Sequence, residues 1–154
     1  MTREHLDPEE QARVDRQMAE LLQELRIAMP GVQLLFAFLL AVPFQTRFAE
    51  VSEFQRGVYL FTFLCATFSS ALLIAPASYH RLLFQKGFKP SIVRFAERSA
   101  IAGLAFLACA MSGAVLLVTS LLFGAAVTAG VSVVTAVVFA WLWFGLAWLR
   151  LRRG

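Results

Sequence analysis

Charge is scarce in this chain of 154 residues: only 16% are Asp, Glu, Lys or Arg, against about 25% in ordinary soluble domains. There are two Cys and two His. That is too few for a disulfide-stapled secreted scaffold or a Cys/His metal centre, so no metal and no cofactor are expected. Phosphate-binding Gly-rich loops, HExxH and GxSxG are all missing, and with them the usual routes to nucleotide, metalloprotease and serine-hydrolase chemistry. No acid, Lys or Arg falls deep in an apolar run, so the chain lacks the intramembrane carboxylates on which proton-coupled transporters rely. A catalytic role is not expected for want of nucleophile, acid and metal ligands. Disorder and nucleic-acid binding are excluded by hydrophobicity, despite a pI near 9.7.

What the chain does have is apolar surface. Hydrophobic residues make up 59%, Phe alone contributes 15, and mean hydropathy is +0.70. A soluble domain of this size could not hide that much apolar area. No charge occurs from Ile27 to Thr46, from Gly57 to Tyr79, or across the 51 residues from Ser99 to Leu149. A span needs about 20 apolar residues. The first two runs each supply one. The third would make a helix of roughly 76 Å at 1.5 Å per residue, so it must fold back. The turn is placed near Ser120–Thr128, where Phe123-Gly124 interrupts the aliphatic run. Unbroken apolar runs without alternation exclude a barrel. The expectation is an all-α polytopic membrane protein with four transmembrane helices, at about 30–48, 57–79, 99–121 and 126–149. Residues 1–29 form a preceding amphipathic helix, and 30–154 form the transmembrane domain.

Lys and Arg set the orientation. Twelve of the 14 lie in the N-terminal segment, the loop 81–98 and the tail (Arg150, Arg152, Arg153); only Arg47 and Arg56 lie on the other side. Both termini are therefore expected in the cytoplasm and the bilayer is the bacterial inner membrane. Seven acids precede the first apolar run, so it does not read as a cleaved signal peptide.

At the N-terminus, Asp7-Pro8-Glu9-Glu10 reads as a helix start, with Asp7 as N-cap and Pro8 at the first helical position. Val14, Met18, Leu21, Leu25 and Ala28 follow on one face. Met29 precedes Pro30, which predicts a bend. Residues 1–26 carry net −3 (four Arg, seven acids) and 81–98 net +4 (five bases, one acid). The helix is expected to dock on that basic loop.

Candidate site residues are few. In span one, Gln33, Ala37, Ala41 and Gln45 recur every four residues and form a small, polar stripe on an otherwise bulky helix. Pro43 lacks an N–H, frees the carbonyl of Leu39 and predicts a kink. The stripe either packs or lines a pathway. Thr128, Ser132 and Thr135 form a possible second polar face. His80, at the end of span two, is a candidate pH sensor. Cys65 and Cys109 read as small packing residues.

One resemblance is visible. It lies in Leu21-Leu22-Gln23-Glu24-Leu25-Arg26, Pro30-Gly31-Val32-Gln33-Leu34-Leu35-Phe36-Ala37-Phe38-Leu39-Leu40, Val42-Pro43-Phe44, Phe54-Gln55-Arg56 and Ala75-Pro76-Ala77-Ser78-Tyr79-His80-Arg81. Through these segments the chain resembles a family of small four-span bacterial inner-membrane proteins of uncharacterised function, some of them labelled sodium:proton antiporters. The resemblance implies the topology derived above. Two functions are weighed: a homo-oligomeric ion channel or transport protein with span one near the pathway for small ions, and a non-catalytic structural or regulatory subunit packing against other membrane proteins.

Overall fold

The computed structural model describes the backbone of residues 7–83 and 90–145 and, within these, the side chains of all but residues 11, 47, 80–83, 90–92 and 144–145. The described residues are helical, with no strand among them. Helix α1 spans Pro8–Ala41, α2 Glu53–Leu83, α3 Pro90–Leu122 and α4 Ala125–Ala140, the last continuing into a π-helical turn at Trp141–Gly145. All four are long and apolar enough to cross a bilayer. The expected all-α, four-span class is thus what the chain forms.

Helix α1 differs from expectation at both ends. Asp7 occupies the N-cap position but its side chain caps nothing. Its first turn instead carries Glu9 and Glu10, whose charges complement the positive end of the helix dipole. Pro30 lies inside the helix and does not bend it into a separate element. Proline removes the bond to the carbonyl four residues earlier, that of Arg26. Leu25 and Val32, on either side of it, are nevertheless buried in one cluster with Leu73, Ala100 and Leu107, which holds the helix continuous across the gap. With 34 residues, α1 is about 51 Å long, against roughly 30 Å of hydrocarbon. Its N-terminal half therefore forms an arm beyond the apolar span.

The arm is docked, by apolar contact. Val14 and Met18 are buried against Val93 and Ala96 of α3, with Leu21 and Leu22 packed alongside. Glu10, Arg13, Arg94 and Glu97 border this contact, yet among the described residues no ion pair joins the two helices. Residues 84–89 of the basic loop lie outside the description.

Helices α2 and α3 form the central pair. Two glycines allow their close approach: a Cβ on Gly103 would sit 2.8 Å from Leu73 Cδ2, and one on Gly113 would overlap the Thr62 side chain. Ser69 Oγ donates to Gly103 O at 2.8 Å. At the opposite end, Ser52 and Gln55 form a reciprocal cap on α2: Ser52 N–H donates to Gln55 Oε1 (2.9 Å) and Gln55 N–H to Ser52 Oγ (3.3 Å). The Gln55 amide also donates to Ser120 O at 3.1 Å, which ties the start of α2 to the end of α3.

Helix α1 lies against both α2 and α3, while α4 packs on α3. The α3–α4 turn falls at Phe123-Gly124, with Gly124 in extended backbone before α4, as the sequence predicts. Because α4 leaves α2 uncovered, an apolar groove of about 820 Å³ opens between them, floored by Ala105, Cys109 and Gly113 of α3.

Candidate functional site: the outward face of α1

Helical periodicity divides α1 into two faces. Val32 and Leu39 point inward and are buried, at 1% and 4% exposure. Gln33, Ala37 and Ala41 lie on the opposite face and are all exposed. The stripe is therefore not the packing seam of this subunit. Gln33 stands seven residues past Arg26, the last charge before the apolar run. That is about 10 Å along the helix, among exposed Leu34, Phe38 and Leu40. Gln45 does not extend the helical stripe. Although exposed, it sits in extended backbone (φ −76°, ψ 138°) between two 3-10 turns, Val42–Phe44 and Thr46–Glu50.

Pro43 ends the helix rather than kinking it: α1 stops at Ala41 and Pro43 falls in the first 3-10 turn. The freed carbonyl of Leu39 finds another donor, the hydroxyl of Tyr59 on α2 at 3.0 Å. The same solution recurs at Pro76 inside α2. There the freed carbonyl is that of Leu72, and Ser99 Oγ of α3 donates to it at 2.7 Å. Pro43 and Pro76 each break one backbone bond that a neighbouring helix repairs, as prolines at membrane depth require. Sequence reasoning found Pro43 and its freed carbonyl, gave Pro76 no backbone role, and missed both donors. The available signal was a hydroxyl residue, Tyr59 or Ser99, in another apolar span with no role of its own.

Of the second polar face, Thr128 is 7% exposed, and Ser132 and Thr135 are half-buried. The hydroxyls of Thr128 and Ser132 are buried without a hydrogen-bond partner among the described residues. Thr62, Thr67 and Thr119 by contrast bond backbone carbonyls of their own helices. The backbone of His80 belongs to α2, but its side chain, the candidate pH sensor, lies outside the described residues. Cys65 is buried and Cys109 exposed, both as free thiols. Among the described residues no group of three or more His, Cys, Asp or Glu converges.

Four apolar helices around a hydroxyl-bonded centre define the class: a small polytopic α-helical membrane protein. The family follows from comparison. The family model DUF6328, a family of unknown function, matches residues 7–147, and the chain belongs to that family. No curated protein and no solved structure matches it.

Proposed function

We propose that the protein is a non-catalytic, homo-oligomeric membrane protein of the bacterial inner membrane with both termini in the cytoplasm, and that the outward face of α1 lines a route for small ions between subunits. The observation that carries this reading is the exposure of Gln33, Ala37 and Ala41 on the face opposite the core. A primary amide facing hydrocarbon forfeits its hydrogen bonds, so Gln33 calls for protein or water beside it. Thr62, Ser69 and Ser99, inside the subunit, are committed to backbone carbonyls, which favours the subunit junction for a polar route. The Ala37 and Ala41 positions keep that junction narrow and unobstructed. The second reading, a structural or regulatory subunit packing against other membrane proteins, draws on the open groove between α2 and α4.

The test is ion flux from liposomes holding purified wild type, Gln33→Leu and Ala41→Ser. The conducting reading expects wild-type flux, a block by Gln33→Leu through a dry constriction, and equal or raised flux for Ala41→Ser. Absence of wild-type flux for Na⁺, K⁺, Cl⁻ and H⁺ across a pH range refutes it and leaves the structural reading. Flux indifferent to Gln33→Leu moves the route off α1.

A further inference from the structure

The chain holds two cysteines, and the fold sets them opposite one another. Helices α2 and α3 are antiparallel, with Thr62 against Gly113 and Ser69 bonded to Gly103. Cys65 lies three residues past Thr62 on one helix, and Cys109 four before Gly113 on the other. Between those two contacts the cysteines are therefore level. They also flank the seam on the same side. Cys109 floors the groove between α2 and α4. Cys65 follows Phe54, Val58 and Phe61, which line that groove, at spacings of 4, 3 and 4, and so shares their face of the helix.

The two helices are close at this level. Cys65 packs in one cluster with Ala66 and Ala110, both 0% exposed, and Ala110 is the residue next to Cys109. One turn further along, Phe68 of α2 meets Phe106 of α3 with ring centroids 5.6 Å apart. The two thiols are near enough for the charge of one to be felt at the other. A disulfide needs Cα atoms within about 7 Å, an approach that a seam of glycine and alanine permits. Access to the two differs. Cys65 is 4% exposed, whereas Cys109 is exposed, on the groove. At membrane depth an apolar groove admits a lipid-soluble reagent and holds out a charged one.

We propose that Cys65 and Cys109 are a redox pair, oxidised to a disulfide within one subunit by a lipid-soluble quinone that reaches Cys109 through the groove. One S–S bond forms and two S–H bonds break. The two electrons and two protons pass to the quinone, which leaves as the hydroquinone. The disulfide pins α2 to α3 beside the groove. It is independent of any conduction along α1.

The experiment uses the full-length protein, reduced and reconstituted in nanodiscs. It is treated with decylubiquinone, whose ring has no free position for thiol addition, then capped with a maleimide, digested and read by mass spectrometry. The expected result is loss of both maleimide-reactive thiols and a peptide pair joined through Cys65 and Cys109. Cys65→Ser and Cys109→Ser should each abolish the link. Ferricyanide, a charged oxidant confined to water, should form it several-fold more slowly; equal rates overturn entry through the groove. In the Cys109→Ser background, Ala105→Cys moves the thiol one turn along the groove floor, and linking to Cys65 as fast as in the wild type overturns the register. Mixing unlabelled with heavy-isotope-labelled protein shows whose thiols are joined: links within one chain support the proposal, and links only between chains overturn it in favour of a contact between copies. A link made by diamide, a smaller thiol oxidant, but not by decylubiquinone overturns the quinone as oxidant. No link with either reagent refutes the redox pair outright.

Discussion

Removing the Tyr59 hydroxyl should expose the cost of Pro43. In the folded chain Tyr59 donates to Leu39 O at 3.0 Å. That carbonyl cannot be served by residue 43, which has no N–H. The Tyr59 ring stacks with Phe63, centroids 6.2 Å apart, and meets Phe48 edge-on at 5.2 Å. Tyr59→Phe keeps those contacts and deletes only the hydroxyl. An orphaned buried carbonyl costs about 1–3 kcal/mol in soluble proteins, whereas interhelical hydrogen bonds in membrane proteins average about 0.6 kcal/mol with a maximum near 1.7. The expected loss is therefore on the order of 1 kcal/mol, a roughly fivefold shift in the unfolding equilibrium. The informative step is the double-mutant cycle with Pro43→Ala. Alanine restores a backbone N–H able to reach Leu39 O, so Tyr59→Phe should then cost close to nothing. Both losses can be read by unfolding in mixed detergent micelles, and the cycle cancels whatever Pro43→Ala does alone. An equal cost for Tyr59→Phe in both backgrounds would refute the repair argument and reduce Tyr59 to an ordinary packing ring.

The same logic applies at Ser99: Ser99→Ala should cost about 1 kcal/mol beside Pro76 and much less in the Pro76→Ala background, measured in the same micelle assay. Gly113→Ala places a Cβ on the Thr62 side chain and is expected to destabilise by about 1–3 kcal/mol, with partial recovery in the Thr62→Ala double variant. Met18 is 1% exposed in the contact that holds the arm on α3, so Met18→Ser should cost on the order of 2 kcal/mol locally and speed proteolysis at Arg13 and Arg16. Reversing Arg94 and Arg98 to Glu should leave that cleavage nearly unchanged, because no ion pair among the described residues holds the arm; faster cleavage would restore the electrostatic account of docking.

Much of the architecture is legible without coordinates, because a bilayer imposes a simple length rule on apolar runs. The spans, the turn at Phe123-Gly124 and the buried stripe of Val14, Met18 and Leu25 all follow from residue spacing. So does the existence of an orphaned carbonyl at Leu39. Charge counting sets the arm, at net −3, on residues 81–98. The described contact falls within them, on Val93 and Ala96, and is made by apolar side chains; exposed ion pairs contribute little and buried methyl groups contribute more.

What the sequence could not decide is which way each face turns and who repairs each break. The stripe of Gln33, Ala37 and Ala41 has the same spacing whether it points to the core or away. Only the packing of Val32 and Leu39 against α2 and α3 turns it outward. Pro30 looked like the end of an element, yet contacts on both sides of it carry the helix through. Pro43, which looked like a kink, is a terminus. Periodicity is a property of one helix, so it can be read from one segment. Orientation, and the donors Tyr59 and Ser99 that arrive from elsewhere in the chain, depend on which helices become neighbours, and only the tertiary structure decides that.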